Sequence, residues 1–460
     1  MIKTPIIPVK PDIYNINTEN RLDYKAICCF MSTGFFLQDD TYYVDQKVRK
    51  AATVYQNNED IKGKTYFEWH YSPRKITLEQ AVDEFSDLFD RITKEQTDGK
   101  RVILPLSGGI DSRSQAAALI GHENVQTYSY KFEYSFDETK FGRAIARSMN
   151  WDFNEYVVPE GYLWKVVDEL SLLNGCYSEF TSPRQMSIKD EFPSMGDVFY
   201  IGHWGDVLFD NMGLDENLTL NEQVDILLKK VVKKGGLEIA STLWKVWGLS
   251  GDFESYLRER FSQLLSDIHI DNANARMRAF KSLHWAPRWT SVNLSIFSKY
   301  HPLALPYYDN RLCEWICTVP EKHLACRQIQ IEYIKRKSPA LALIPWQNFD
   351  PCNLYNYQNY KSLANRTYTF LNKLTRKLNE FALGRVCTER NWEIQFLGKE
   401  NDSNLRKYLF DNKLFYEFIP QTIVRDLYNR FSKGNYQQKI WYSHPISMLL
   451  TLSQFIKQKK

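Results

Sequence analysis

The string Ser107-Gly108-Gly109-Ile110-Asp111-Ser112 holds the residue types that a phosphate-binding turn needs. Two successive glycines accept backbone angles with φ > 0 and let peptide N–H groups come close to a ligand. A helix starting at this turn would aim its unpaired N–H groups and positive dipole end at the same point, which makes an anion cradle. The hydroxyls of Ser107 and Ser112 can donate to phosphate oxygens. Asp111 would repel those oxygens unless a divalent cation stood between them, so its presence predicts Mg²⁺ beside the phosphates. The Walker spacing GxxxxGK[ST] is not met here, which disfavours a kinase or ATPase acting at a γ-phosphate.

The flanking residues predict the elements that would hold this turn. Residues 101–106 (RVILPL) form a short, almost wholly apolar run, the pattern of a strand buried on both faces of a parallel sheet. SRSQAAALIG then begins an Ala-rich helix ending near Gly121. Before the strand, Leu78, Ala81, Val82, Phe85, Leu88, Phe89 and Ile92 recur at helical spacing behind Thr77 and Gln80, a capping pair. Further strands are expected at residues 125–132, 153–158 and 197–201, with a helix in DETKFGRAIARSMN. Strands alternating with helices predict an α/β fold with a parallel sheet.

The turn resembles the pyrophosphate loop of the N-type ATP pyrophosphatases (PP-loop enzymes), which cleave ATP between its α and β phosphates. Within that group the chain is similar to the synthetase domain of asparagine synthetase and its relatives, including β-lactam synthetase and lasso-peptide cyclases. Thr127-Tyr128-Ser129-Tyr130 resembles the family's second strand, whose backbone holds adenine, and Phe136-Asp137-Glu138 its acidic entry into the next helix. Gly202-His203-Trp204-Gly205-Asp206-Val207-Leu208-Phe209 resembles the SGEGADELF segment, whose Asp completes the Mg²⁺–pyrophosphate site. Leu305-Pro306-Tyr307-Tyr308-Asp309-Asn310-Arg311-Leu312 resembles the VPFLDHRL signature. The resemblance implies an adenine nucleotide α-hydrolase-like fold using ATP and Mg²⁺. It assigns Asp111 and Asp206 to the metal, Ser107, Gly108, Gly109 and Ser112 to the phosphates, and Leu106, Tyr130 and Gly202 to the nucleoside.

The chain departs from that pattern in places. His203 stands where the family has Glu, and Ile201 where it has the Ser opening the second turn. His203 reads either as a catalytic base or as a packing residue beside the metal loop. The family's late lysine, which steadies the departing pyrophosphate, has its nearest candidates in Lys337 and Lys335, which equally read as the exposed end of a helix. The chain begins Met1-Ile2 rather than with a cysteine nucleophile, and residues 1–75 are too short for an intact glutaminase domain, of whose closing part only GFFLQDDTYYVDQ is reminiscent.

With 460 residues, 43% hydrophobic and 25% charged, the composition is that of a folded multi-domain protein. The longest apolar stretch, residues 446–456, has about half the roughly 20 residues needed to cross a bilayer. The start lacks a secretory h-region, and the eight cysteines form no CxxC pair, so a cytoplasmic setting with buried thiols is expected. Residues 361–460 carry a net charge of +10 and the rest −6. Basic runs such as residues 373–377 read first as a solvated helix face and second as a polyanion site.

The organisation expected is a small β-rich cap at residues 1–75, an ATP pyrophosphatase domain at 76–345, and a basic helical region at 346–460 that opens on a long surface loop at residues 346–360. The function expected is an ATP-dependent amide-forming ligase, joining a small-molecule or peptide carboxylate to an amine or to ammonia, with a separate glutaminase as a potential ammonia source. The alternatives are a tRNA-modifying enzyme on the same nucleotide domain and a degenerate nucleotide-binding scaffold.

Overall fold

The structure is a computed structural model describing residues 1–363, 365, 367–368, 371 and 387–459. The basic run at residues 373–377 lies outside the described residues.

The N-terminal region combines two small antiparallel ladders with a helix. Ile2–Lys3 pairs with Thr53–Tyr55, which pairs with Lys64–Thr65, and Ile13–Asn15 pairs with Gln46–Val48. Helix α1 (Tyr24–Thr33) is absent from the sequence expectation of a β-rich cap. Residues 26–33 are buried on every side, so AICCFMST carries no amphipathic period that would announce a helix. Its start is set by Asp23, whose carboxylate accepts from the Ala26 N–H at 2.9 Å.

Helix α2 (Leu78–Thr97) begins as expected, with a reciprocal cap between Thr77 and Gln80 at 2.9 and 3.1 Å. It buries Phe85, Phe89 and Ile92, each contributing about 1.5–3 kcal/mol in apolar transfer. A five-stranded parallel sheet follows. Strand β1 (Val102–Pro105) leads through the SGGIDS turn to α3 (Ile110–Ala118), and β2 (Val125–Phe132) leads to α4 (Thr139–Ser148) and β3 (Asp152–Val158). Strand β4 (Val198–Tyr200) and the short β5 (Leu303–Ala304) complete the order β5-β4-β1-β2-β3, all neighbours parallel. The expected α/β class and its four strands are present; β5, which precedes LPYYDNRL, is added.

This order positions the site. The chain runs outward from β1 to β2 and β3, then returns to the other side of β1 as β4. The sheet therefore has a topological switch point between β1 and β4, where open α/β sheets bind ligands beyond the strands' carboxyl ends. The SGGIDS turn leaves β1 and the Gly202 turn leaves β4, so both open into the same crevice.

The remainder is mainly helical. Helix α5 (Gln328–Lys337) packs on α2 and α3, and the terminal helix α6 (Tyr436–Gln458) packs on α1 and on Tyr162–Leu173. No described helix is long and apolar enough to cross a membrane. The expected surface loop at residues 346–360 is exposed at Asn348 and over most of residues 355–359, but Trp346, Cys352 and Leu354 are buried. Trp346 is buried against Phe349 and Tyr357, its N–H donates to the Cys352 carbonyl at 2.7 Å, and the Gln347 N–H donates to the Gly108 carbonyl at 3.2 Å. Sparse aliphatics suggested solvent, but aromatic edges supply the burial.

Candidate active site

The turn after β1 is organised by its two serines. Ser107 and Ser112 hydroxyls lie 3.0 Å apart, and Ser112 Oγ accepts from the Ser107 N–H at 3.2 Å. Gly109 caps α3 without any side-chain hydrogen bond to the helix start. The first N–H groups of α3 are thus left to a ligand, and a ligand able to accept them is an anion. Gly108 is held from behind, its N–H donating to Gln347 Oε1 at 3.2 Å.

The second turn approaches α3 closely. A Cβ on Gly205 would overlap Asp111 Oδ1, and one on Gly202 would lie 2.5 Å from Gln115 Oε1 and 3.1 Å from Asp111 Cβ, so a side chain at either position would force its neighbours to move. Between them Trp204 adopts φ +80°, the left-handed region, and its indole donates to Ser282 Oγ at 3.0 Å. A tryptophan held there implies backbone strain of about 1–3 kcal/mol, borne by surrounding contacts. The result aims Asp206, in the first turn of Gly205–Leu208, into the crevice shared with Asp111.

The crevice has a volume of ≈ 1470 Å³. Leu106, Ser107, Ser112, Tyr130 and Gly202 all line it, as do Asp111, His203 and Asp206. Tyr130 is fixed by Arg184, whose Nε donates to its hydroxyl at 2.7 Å. Glu138 reaches the crevice, whereas Asp137 is held by Thr139 and Arg143. The LPYYDNRL segment is a brace: Tyr307 OH accepts from Gln330 at 2.8 Å, and Arg311 joins Asp309 to Glu95.

Lys337 is not brought to the site. It pairs with Asp90 of α2 at 2.6 Å, and Lys335 pairs with Glu332 at 2.8 Å, both outside the crevice. The cation that reaches Asp111 is Arg327, which sequence reasoning missed. Cys326 and Arg327 both take left-handed backbone angles, φ +55° and +63°, and this bend turns the guanidinium inward to Asp111 Oδ1, which also accepts from Gln330 at 3.1 Å. The available signal was a cation directly before a helix start, against the dipole preference.

Electrostatics follow from crowding. Burial raises the Asp111 carboxyl above its ordinary value, Arg327 pulls it down, and Asp206 pushes it up. Burial opposes the charge on Arg327, but Asp111 and its neighbours hold its pKa above the usual value. Burial pulls His203 down to about 4, with Asp206 acting the other way, and its Nδ1 is buried without a partner.

Among the described residues no three His, Cys, Asp or Glu side chains converge as a closed metal cage. Two carboxylates at one crevice instead fit Mg²⁺, which is held by one or two carboxylates together with phosphate oxygens and water. No curated protein matches the chain. The family model of asparagine synthase matches residues 84–337, from within α2 to the end of α5 and more than half of the sequence, and the chain belongs to the asparagine synthase family.

Proposed function

We propose that this ATP-dependent ligase of the asparagine synthetase kind forms an amide by way of an acyl-adenylate. A carboxylate oxygen of the acid attacks the α-phosphorus of ATP, the bond to the bridging oxygen breaks, and pyrophosphate leaves. The nitrogen of an amine or ammonia then attacks the acyl carbon, AMP leaves, and the nitrogen releases a proton. The observation that carries this reading is the meeting of Asp111 and Asp206 at the switch point, beside the uncapped start of α3.

Ser107, Gly109 and Ser112 bind the phosphates, and Leu106, Tyr130 and Gly202 border the nucleoside. Mg²⁺, held by Asp111 and Asp206, would offset the charge that gathers on the pyrophosphate. Arg327 supplies a second positive charge in the place sought for Lys337. Burial holds His203 neutral near pH 7, so it does not repel an ammonium in the crevice it lines.

The test is pyrophosphate release over a panel of acids and amines with Mg²⁺ and ATP. Asp111→Asn is expected to lower it by about a hundredfold or more, the scale of losing one preorganised electrostatic contact, measured at a temperature where melting shows the variant still folded, because Arg327 also loses its partner. Unchanged release would remove Asp111 from the reaction.

A further inference from the structure

The crevice extends past Asp206 along Lys281–Thr290, a segment wound as a π-helix with Pro287 inside. Such windings are rare and cluster at functional sites. Lys281, Trp285 and Trp289 recur at every fourth residue here, and all three line the crevice. Lys281 is only 6% exposed, and among the described residues no carboxylate pairs with it. Lys230 lines the same space. The indole Nε1 atoms of Trp285 and Trp289 are buried with no hydrogen-bond partner. Ammonium and indole groups are donors only, and a buried donor left unpaired costs about 1–3 kcal/mol. The wall therefore lacks an acceptor-rich partner.

The charges around Lys281 sharpen this. Burial, with Lys230 and Arg278 of like sign beside it, pulls Lys281 down to about 7, so an anion bound here restores its charge; Arg278 itself is occupied by Glu321 at 2.6 and 2.7 Å. Asp206 and Asp210 oppose this lowering, but Asp206 serves the phosphate end and Asp210 accepts from the Cys326 N–H at 3.1 Å. An ammonium-bearing substrate would meet two lysines here. The rings are set rigidly: Trp285 stacks on Phe35 with centroids 6.0 Å apart and planes 9° apart, and Trp289 stands at 67° to it. One ligand fills about 300–1,000 Å³, so a crevice of ≈ 1470 Å³ has room for a nucleotide and a second molecule.

We propose that Lys281, Lys230, Trp285 and Trp289 form the subsite for the acid, and that it selects an acid bearing a second anionic group on a flat apolar body. This rests on the adenylating reading, which gives the other end of the crevice to ATP. The second anion pairs with the ammonium groups of Lys281 and Lys230, the flat body lies on the face of one indole with the other at its edge, and the reacting carboxylate points towards Asp206.

The test uses three matched probes, terephthalate, benzoate and 4-(aminomethyl)benzoate, titrated by calorimetry into the full chain with Mg²⁺ and α,β-methylene-ATP. Terephthalate is expected to bind about tenfold or more tighter than benzoate, the value of one charge-assisted hydrogen bond, with 4-(aminomethyl)benzoate weakest. Lys281→Met should bring terephthalate to the benzoate level while thermal melting reports an intact fold. Equal binding of terephthalate and benzoate to the unaltered protein, no binding of terephthalate to protein that holds the nucleotide, or an unchanged preference in folded Lys281→Met overturns the subsite. Failure of the nucleotide itself to bind overturns the adenylating reading instead, so the two are separable.

Discussion

Arg327 and Asp111 form a largely but not fully buried ion pair at the crevice, 12% and 22% exposed, the guanidinium engaging the same Oδ1 that Gln330 holds at 3.1 Å. Removing one partner of such a pair costs about 3–5 kcal/mol, because the other charge is left buried alone. Arg327→Met is therefore expected to lower stability by about 3 kcal/mol in denaturant titration, and Asp111→Asn in the same chain to recover much of the loss. Because Arg327 holds the Asp111 carboxyl down, the single variant should also move the acid limb of pyrophosphate release to higher pH. A double variant no more stable than the single one would show the pair to be dispensable.

Gly205 tests the approach of the two turns. The methyl of Gly205→Ala would overlap Asp111 Oδ1, so either the carboxylate or the turn must move. Overpacking of this kind costs about 1–3 kcal/mol. A matching drop in melting temperature is expected, with a larger loss of pyrophosphate release than stability alone would cause. Full turnover in the alanine variant would mean that the turns need not meet.

Lys337→Met separates helix-surface chemistry from crevice chemistry. The Lys337–Asp90 pair is about one-third exposed on each side, and exposed pairs contribute about 1 kcal/mol or less. Pyrophosphate release is expected to stay at the unaltered level, with stability changed by no more than that amount. A loss of turnover without loss of fold would return Lys337 to the reaction.

Acid should destabilise the protein through its buried histidines. Burial pulls His203 to about 4 and His284 to about 3, below the unfolded value near 6.5. The unfolded chain therefore takes up the proton first. The stability these neutral rings contribute is complete above about pH 6.5 and is lost as pH falls towards 4, at on the order of 2 kcal/mol for His203. In urea titrations from pH 7 to pH 4, His203→Gln should show a shallower decline than the unaltered protein. Parallel curves would indicate that the ring is protonated in the fold.

What could be read from the sequence was local. The SGGIDS turn is announced by the apolar run before it and the Ala-rich helix after it, and α2 by its capping pair and period. What could not be read depends on distant partners. Helix α1 has no solvent side to give it a period, and residues 346–360 look solvated until Trp346, Phe349 and Tyr357 are seen against one another. Lys337 was the lysine nearest in sequence to the expected position, yet α5 points it at α2; the preceding bend at Cys326 and Arg327 delivers a different cation, through backbone angles that residue types alone do not predict. The Lys281 wall was hidden for a similar reason, since Pro287 inside the segment hides the helical winding that lines up Lys281, Trp285 and Trp289 on one face.

Phe35, the ring on which Trp285 stacks, belongs to the N-terminal region, and so do the Gln38 and Asp40 carbonyls that accept from Arg288 and the Pro8 carbonyl that accepts from Ser291 at 2.6 Å. The wall opposite the phosphate turn is thus braced by residues some 250 positions away in sequence, and those residues share one core with the sheet. A change at Phe35 is therefore expected to reach the Trp285 wall through the ring contact, without touching the turn after β1.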